Sequence, residues 1–165
     1  MENKLPARKP NRLLKFDYSS RGSYFVTICA AERKNHFWRE DLPFDASFEC
    51  IEDIQYSIVG RVVLDCINDI STRYPMVKVE HYVVMPDHVH MMIEIEKVID
   101  EGGRPMVAPT ISRVVQQFKG SVTKRAGKAV WQKLFYDHVI RNEDDYREHV
   151  KYILENPKRR SKSPL

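Results

Sequence analysis

The sequence predicts an α+β fold in which helices pack on an antiparallel sheet. Three observations carry that prediction. The periodic segments follow one another in the order β, α, β, β, α, β, α, and two adjacent strands joined by a dipeptide must pair antiparallel. Residues 88–96 alternate, with Val89, Met91, Ile93 and Ile95 on one face and His88, His90, Met92, Glu94 and Glu96 on the other. The chain of 165 residues is long enough to bury one core without disulfides.

Taken in order, residues 1–20 are polar, basic and proline-containing, and read as an arm rather than a packed element. Tyr24–Ala30 is β-branched and aromatic, the composition of a strand. Residues 31–50 hold short apolar pieces (His36-Phe37-Trp38, Phe44, Phe48) between charges and read as loop or a short hairpin. From Ile54 to Ile70 apolar residues recur at roughly helical spacing, and Ser71–Pro75 ends that helix because the residue before a proline is pushed out of the helical region. Val77–Met85 and His88–Glu96 are strands joined by Pro86-Asp87. Residues 97–109, with Gly102-Gly103-Arg104-Pro105, form a flexible connection. Thr110 caps a second helix with Ile111, Val114, Val115, Phe118 and Val122 as its apolar stripe. Leu134–Arg141 is a fourth strand. Asn142 caps a third helix, whose first turn carries Glu143, Asp144 and Asp145 at the positive end of its dipole, and Pro157 stops it. The expected organisation is a basic arm at 1–20, one domain at 21–158 and a basic tail at 159–165.

Composition narrows the class of function. Hydrophobic residues at 42% and charged residues at 30% suit a globular chain rather than a disordered one. No apolar run approaches the ~18–20 residues that cross a bilayer, so no membrane partner is expected. The N-terminus has no apolar stretch of the kind a secretory signal needs. Cys29, Cys50 and Cys66 lie far apart, which argues against a disulfide framework or a cysteine zinc site and for a reducing cytoplasm. Lys+Arg number 27 against 23 Asp+Glu, a net charge of +4, and the excess gathers at both ends and around Lys119, Lys124, Arg125 and Lys128. That placement fits a polyanionic partner or solvated tails about equally.

Two constellations carry chemistry. His88 and His90, two apart on a strand, share a face opposite the apolar stripe, with Cα atoms roughly 6–7 Å apart. Their ring nitrogens can converge on one divalent cation, or the pair can simply face solvent. Standing off the stripe, both should be replaceable by alanine with little loss of stability. On the third helix, at ~100° per residue, Tyr146, Val150, Ile153 and Leu154 form the face that buries, and Asp145, His149, Tyr152 and Asn156 lie together away from it. Tyr152 and Asn156, one turn apart, are neighbours. Tyr152 is an aromatic residue the core does not need; taken alone, it equally fits packing against a loop, with Asn156 as a polar end before Pro157. A metal beside a tyrosine suggests phosphoryl transfer to the phenol, because an ordinary phenol with a pKa near ~10 is a poor nucleophile unless the scissile phosphate is polarised. Two imidazoles and an amide suit Mn²⁺ better than Mg²⁺ by softness, although substrate phosphate oxygens complete a shell for either.

The segment Val83-Val84-Met85-Pro86-Asp87-His88-Val89-His90 resembles the histidine–hydrophobic–histidine motif of the single-tyrosine HUH transposases. Trp131-Gln132 and Phe135–Arg141 resemble the segment before their catalytic helix, and Tyr152-Ile153-Leu154-Glu155-Asn156-Pro157 resembles that helix as REP-associated tyrosine transposases carry it. Asp17-Tyr18-Ser19 and Tyr24–Cys29 fit the same group, so the resemblance spans roughly residues 12–158 with its motifs in order. It implies a ferredoxin-like, RRM-type α+β domain. It implies Mg²⁺- or Mn²⁺-dependent nicking and strand transfer of single-stranded or hairpin DNA. In that reading His88 and His90 are metal ligands, Tyr152 is the nucleophile, and Asn156 stands where the wider family carries a glutamine as third ligand. A DNA partner places the chain with the nucleoid, as monomer or homodimer.

Other residues have weaker signals. His138 and Arg141 fit a phosphate contact, or strand-end packing, with His138 alternatively orienting a metal ligand. Lys119, Lys124 and Arg125 fit a DNA-backbone contact or a solvated helix face. His81 reads as a core or edge histidine. Trp131 and Phe135 read as core rather than base-stacking residues. Two competing functions remain: a non-catalytic module binding hairpin DNA or RNA, which does not require His88, His90 and Tyr152 together, and a hydrolase that uses water in place of Tyr152.

Overall fold

The computed structural model describes residues 21–42, 48, 50–96, 102, 103 and 107–159. The expected arm at 1–20, the tail beyond Arg159 and most of the 97–109 connection lie outside them. Strand β1 is Gly22–Cys29, helix α1 is Ile58–Arg73, β2 is Val77–Met85, β3 is His88–Ile95, α2 is Ile111–Ala126, β4 is Tyr136–Val139 and α3 is Glu143–Arg159. The strands form one antiparallel sheet in the order β2-β3-β1-β4. This is the ferredoxin-like β-α-β-β-α-β arrangement with a third helix added. Among the described residues, no helix is long and apolar enough to cross a membrane.

Side-chain alternation sends Tyr24, Val26 and Ile28 of β1 and Val89, Met91, Ile93 and Ile95 of β3 to one face, where all are buried. α1 and α2 pack together on that side. The other face carries Phe25, Thr27, His88, His90 and Met92, and α3 lies across its β2–β3 half. Both faces of the sheet are therefore covered, and Val83, Met85 and Met92 are buried beneath α3. This corrects the expectation of a single core face opposite the histidines.

The caps explain where the helices begin. Asn142 Oδ1 accepts from the Asp145 N–H at 2.9 Å, and Thr110 Oγ1 accepts from the Arg113 N–H at 3.2 Å, both as expected. α1 starts at Ile58 rather than Ile54, because Ser57 Oγ accepts from the Gly60 N–H and residues 51–53 form a separate 3₁₀ turn. Pro157 lies inside α3 rather than ending it. In the last turn a proline forfeits one hydrogen bond and its fixed φ still suits the helix. Pro157 also takes the buried position expected of Leu154: Tyr146, Val150, Ile153 and Pro157 follow the helical repeat toward the sheet, while Leu154 is 51% exposed. Of the apolar pieces before α1, Phe37 and Trp38 are core, with the Trp38 Nε1–H donated to the Val84 carbonyl at 2.8 Å, Phe48 packs partly buried against them, and Phe44 lies outside the described residues.

The first turn of α1 is pressed against residues 36–37. Ser57 Oγ donates to the His36 carbonyl at 2.6 Å, and a Cβ on Gly60 would sit 2.0 Å from the Phe37 carbonyl oxygen. The obstacle is backbone, so it cannot rotate away. Gly60→Ala is therefore expected to cost about 3 kcal/mol. A urea titration checks this: the midpoint falls while the slope stays the same.

A histidine and tyrosine groove between the sheet and the third helix

An open groove of about 940 Å³ runs between the sheet and α3, lined by Phe25, Thr27, Arg33, His88, His90, Tyr136, His138 and, from α3, by Asp145, Glu148, His149, Lys151, Tyr152 and Asn156. Antiparallel register builds its floor: Thr27 lies opposite His90 on one side and Tyr136 on the other, and Phe25 opposite Met92 and His138. The helical repeat builds its wall from Asp145, His149, Tyr152 and Asn156, the four expected to share a face.

The two histidines are held by different hands. His88 Nδ1 bonds Asp87 Oδ1 at 2.7 Å, and the other oxygen of Asp87 pairs with Arg33 Nε at 3.0 Å. His90 Nδ1 bonds Thr27 Oγ1 at 2.8 Å. The rings stand edge to face with centroids 4.6 Å apart. Engaging Nδ1 of each ring leaves each Nε2 as the nitrogen that could meet a cation, the way outer partners orient imidazoles at metal sites. His90 Nε2 is buried without a hydrogen-bond partner among the described residues. A buried ring nitrogen left this way is costly unless something meets it, so the residues present fit a cation. Burial, and secondarily the adjacent His88, push the His90 pKa down to about 2. Its ring is therefore neutral, as a ligand must be.

His90 is only 4% exposed and packs on Phe25 and Tyr152. Burial argues against a cheap alanine at His90, whose truncation would open a cavity under α3; His88, its side chain 15% exposed, is also largely buried but lies nearer the surface. The low pKa gives a further prediction. The folded His90 stays neutral where an unfolded histidine, near 6.5, takes up a proton, so stability is full above about 6.5 and falls as pH drops toward the folded value. Chemical denaturation in chelator between pH 7 and 5 should show stability falling by up to ~1.4 kcal/mol per unit, and His90→Gln should flatten that slope.

Tyr152 is 39% exposed, and its ring meets His90 at 5.2 Å and Phe25 at 6.0 Å between centroids. Its phenol makes no hydrogen bond to the described residues. Tyr146 differs: its hydroxyl donates to Glu80 Oε2 at 2.9 Å, and burial with that carboxylate pushes its pKa up to about 12. Asn156 lines the same groove one turn beyond Tyr152.

A third group had only a partial signal in the sequence. His138 Nε2 lies 3.0 Å from Asp145 Oδ2, His149 Nδ1 lies 3.1 Å from Asp145 Oδ1, and the Arg141 N–H donates to Asp145 Oδ2 at 3.0 Å. Burial raises the Asp145 pKa, but the Arg141 N–H and His138 outweigh it and leave it lowered. The ligand atoms of the trio lie within 4.8 Å of one another, a spacing compatible with a divalent cation. The two imidazoles, however, are stacked, 4.7 Å apart and 15° from parallel. Nearly parallel planes share no point between the rings where both lone pairs could meet one ion. The trio instead ties the start of α3 to β4.

The basic residues expected from the sequence fall elsewhere, while Arg33 and Lys151 line the groove. Lys119 is half-buried and donates to the carbonyls of Gln132 and Lys133 at 2.6 and 3.0 Å, and burial lowers its pKa. Arg125 pairs with Asp69. Lys124 lines a separate groove with Arg73 and Arg113. Arg141 enters through its backbone, its side chain exposed. Of the sequence-predicted residues, the structure gathers His88, His90, Tyr152, Asn156 and His138 into one groove and leaves the three α2 cations outside its lining.

No protein-family profile matches the chain. A Haemophilus influenzae protein of uncharacterised function is 31% identical, covering 91% of this chain and 88% of its own. A second protein of that organism, carrying the provisional name of a REP-associated tyrosine transposase, is 22% identical over 86% of this chain and 73% of its own. The REP-associated tyrosine transposase of Escherichia coli K12 is 33% identical over 48% of this chain and 44% of its own. The fold is shared with a solved REP-associated tyrosine transposase bound to a REP hairpin, at a TM-score of 0.59 and 23% identity, covering 87% of this chain and 72% of that one. Two of the relatives by sequence thus carry the name of a REP-associated tyrosine transposase, and this chain is similar to both of them and shares the fold of the solved one.

Proposed function

We propose that the protein is a single-strand DNA transesterase of the transposase kind, with Tyr152 as nucleophile and His88, His90 and Asn156 as ligands to Mg²⁺ or Mn²⁺. The observation that carries this reading is the buried, unpartnered Nε2 of His90 in a groove shared with His88 and an exposed tyrosine. A divalent ion held there would polarise the scissile phosphate and offset charge developing on it. The chain's own residues supply the rest. Asp87, an acceptor, would hold His88 with its proton on Nδ1, and Thr27 engages Nδ1 of His90, so that Nε2 of each ring is the nitrogen left for an ion. Packing of Tyr152 on His90 and Phe25 fixes the phenol over the same floor. The phenol oxygen bonds to phosphorus as the P–O3′ bond breaks, leaving a 5′-phosphotyrosine link and a 3′ oxygen that takes up a proton. The phosphodiester energy is conserved for rejoining, which a water-using hydrolase would lose. Two relatives are named transposases and the solved neighbour is bound to a REP hairpin, which supports DNA as the partner.

Strand state tests this reading. The scissile phosphate must bend into line with Tyr152, which a single strand permits and a stiff duplex resists. On a denaturing gel, labelled single-stranded or hairpin-flanking DNA is expected to give a covalent protein band with Mg²⁺ or Mn²⁺, and fully paired duplex none. Cleavage without a covalent band would favour the hydrolase, and binding without cleavage the non-catalytic module.

A further inference from the structure

A second groove, of about 360 Å³, leaves the first along the β4 edge of the sheet. The two share Thr27 and Tyr136. Tyr136 is 50% exposed at the start of β4, and Leu134 beside it is 61% exposed. Isolated exposed apolar residues are ordinary, but these two lie in one groove that opens onto the histidine floor. The segment is firmly held: Lys119 binds the carbonyls of Gln132 and Lys133, the Gln132 N–H donates to the Cys29 carbonyl at 2.9 Å, and Tyr136 pairs in register with Thr27. An aromatic face is thus presented to solvent on a rigid base, with Lys133 nearby and no carboxylate in the described lining.

We infer that Tyr136 is a stacking platform for an unpaired base of the DNA strand running out of the nicking groove, with Leu134 as its apolar flank. The inference rests on the single-strand reading above. A groove of this size falls within the ~300–1,000 Å³ of sites that enclose small ligands, and a nucleotide is of that class. Stacking suits a strand whose sequence varies, because every base has a π-face. The platform lies two strands from His90, across Thr27 of β1 and roughly 10 Å away at the ~4.8 Å strand spacing, so the stacked base would sit about one nucleotide from the scissile phosphate and would hold it in line. Tyr136 contributes its ring face and not its hydroxyl.

The test uses the full chain carrying Tyr152→Phe, so that no strand is cut during binding. The probe is a fluorescent single strand bearing a hairpin with unpaired flanks, measured by anisotropy. Tyr136→Ala is expected to weaken binding about 5- to 150-fold. Tyr136→Phe should bind within about twofold of the parent, and the salt dependence should be unchanged because no phosphate contact is lost. An abasic position walked along the flank should weaken the parent at one step and add nothing to Tyr136→Ala at that step. Equal binding by Tyr136→Ala and the parent would overturn the inference, as would a Phe variant as weak as Ala or a variant that alters self-association while leaving DNA affinity unchanged. If the parent binds no single strand at all, the nicking reading itself fails. Equal melting temperatures among the variants exclude misfolding as the cause of any loss.

Discussion

Tyr152→Phe is expected to abolish the covalent protein–DNA band and lower strand cleavage by at least ~10⁴-fold while leaving DNA affinity unchanged. The substitution removes one oxygen and keeps the ring that packs on His90 and Phe25. It leaves the buried α3 residue Ile153 untouched. Losses of that order follow when a nucleophile is deleted and its surroundings are intact. The contrast with Tyr146→Phe makes the assignment discriminating. Tyr146 spends its hydroxyl on Glu80, and its raised pKa puts the phenolate further out of reach. That variant should cut like the parent. A covalent band surviving in Tyr152→Phe would move the role to another tyrosine, with Tyr136 and Tyr146 next to be replaced.

The second large effect is expected at the histidines. His88→Ala should lower metal-dependent cleavage about 10³-fold, the rate equivalent of the several kcal/mol a bound cation supplies to phosphoryl transfer. Excess chelator should bring the parent to the same level. His88 is the cleaner probe because it is less buried than His90 and, unlike His90, makes no ring contact with Tyr152 or Phe25 among the described residues, whereas His90→Ala would remove chemistry and packing together. Asp87→Asn tests the support behind His88: weakening its bond to Nδ1 should cost about 10- to 100-fold in metal affinity or activity. Measuring cleavage against Mn²⁺ concentration separates the cases. Asp87→Asn should recover at high metal and His88→Ala should not.

What was legible in the sequence follows from the range of the interactions involved. β2, β3 and the caps at Thr110 and Asn142 are local patterns and stand where the alternation and the capping residues indicate, whereas β1 runs Gly22–Cys29 and β4 only Tyr136–Val139 of the expected Leu134–Arg141, since strand ends are set by the partner strand. The His88/His90 pair and the Asp145–His149–Tyr152–Asn156 face are also local, each readable from one strand or one helix. The partner of His90 is not: Thr27 lies 63 residues away and meets it only through β1–β3 pairing. The burial of His90 was likewise illegible, because it depends on where α3 docks. Lys119 looks like a helix-surface cation in sequence, and only the return of residues 132–133 converts it into a tie for that loop. The misplaced start of α1 has a local cause: Ile54 keeps the helical phase, but the serine cap at 57 outranks it.

The order in which these pieces leave the ribosome has its own consequence. α3 follows all four strands in the chain, and the sheet with its two inner helices is complete by Val139. A growing chain can therefore assemble the histidine floor before the residue that would attack DNA has been made. Synthesis itself separates the two halves of the proposed centre in time, and the last helix is what would complete it. Until that helix docks, Phe25, Val83, Met85 and Met92 lie uncovered on the open face of the sheet. The interval in which the proposed centre is still incomplete is thus the interval in which the chain is most prone to stick to other nascent chains.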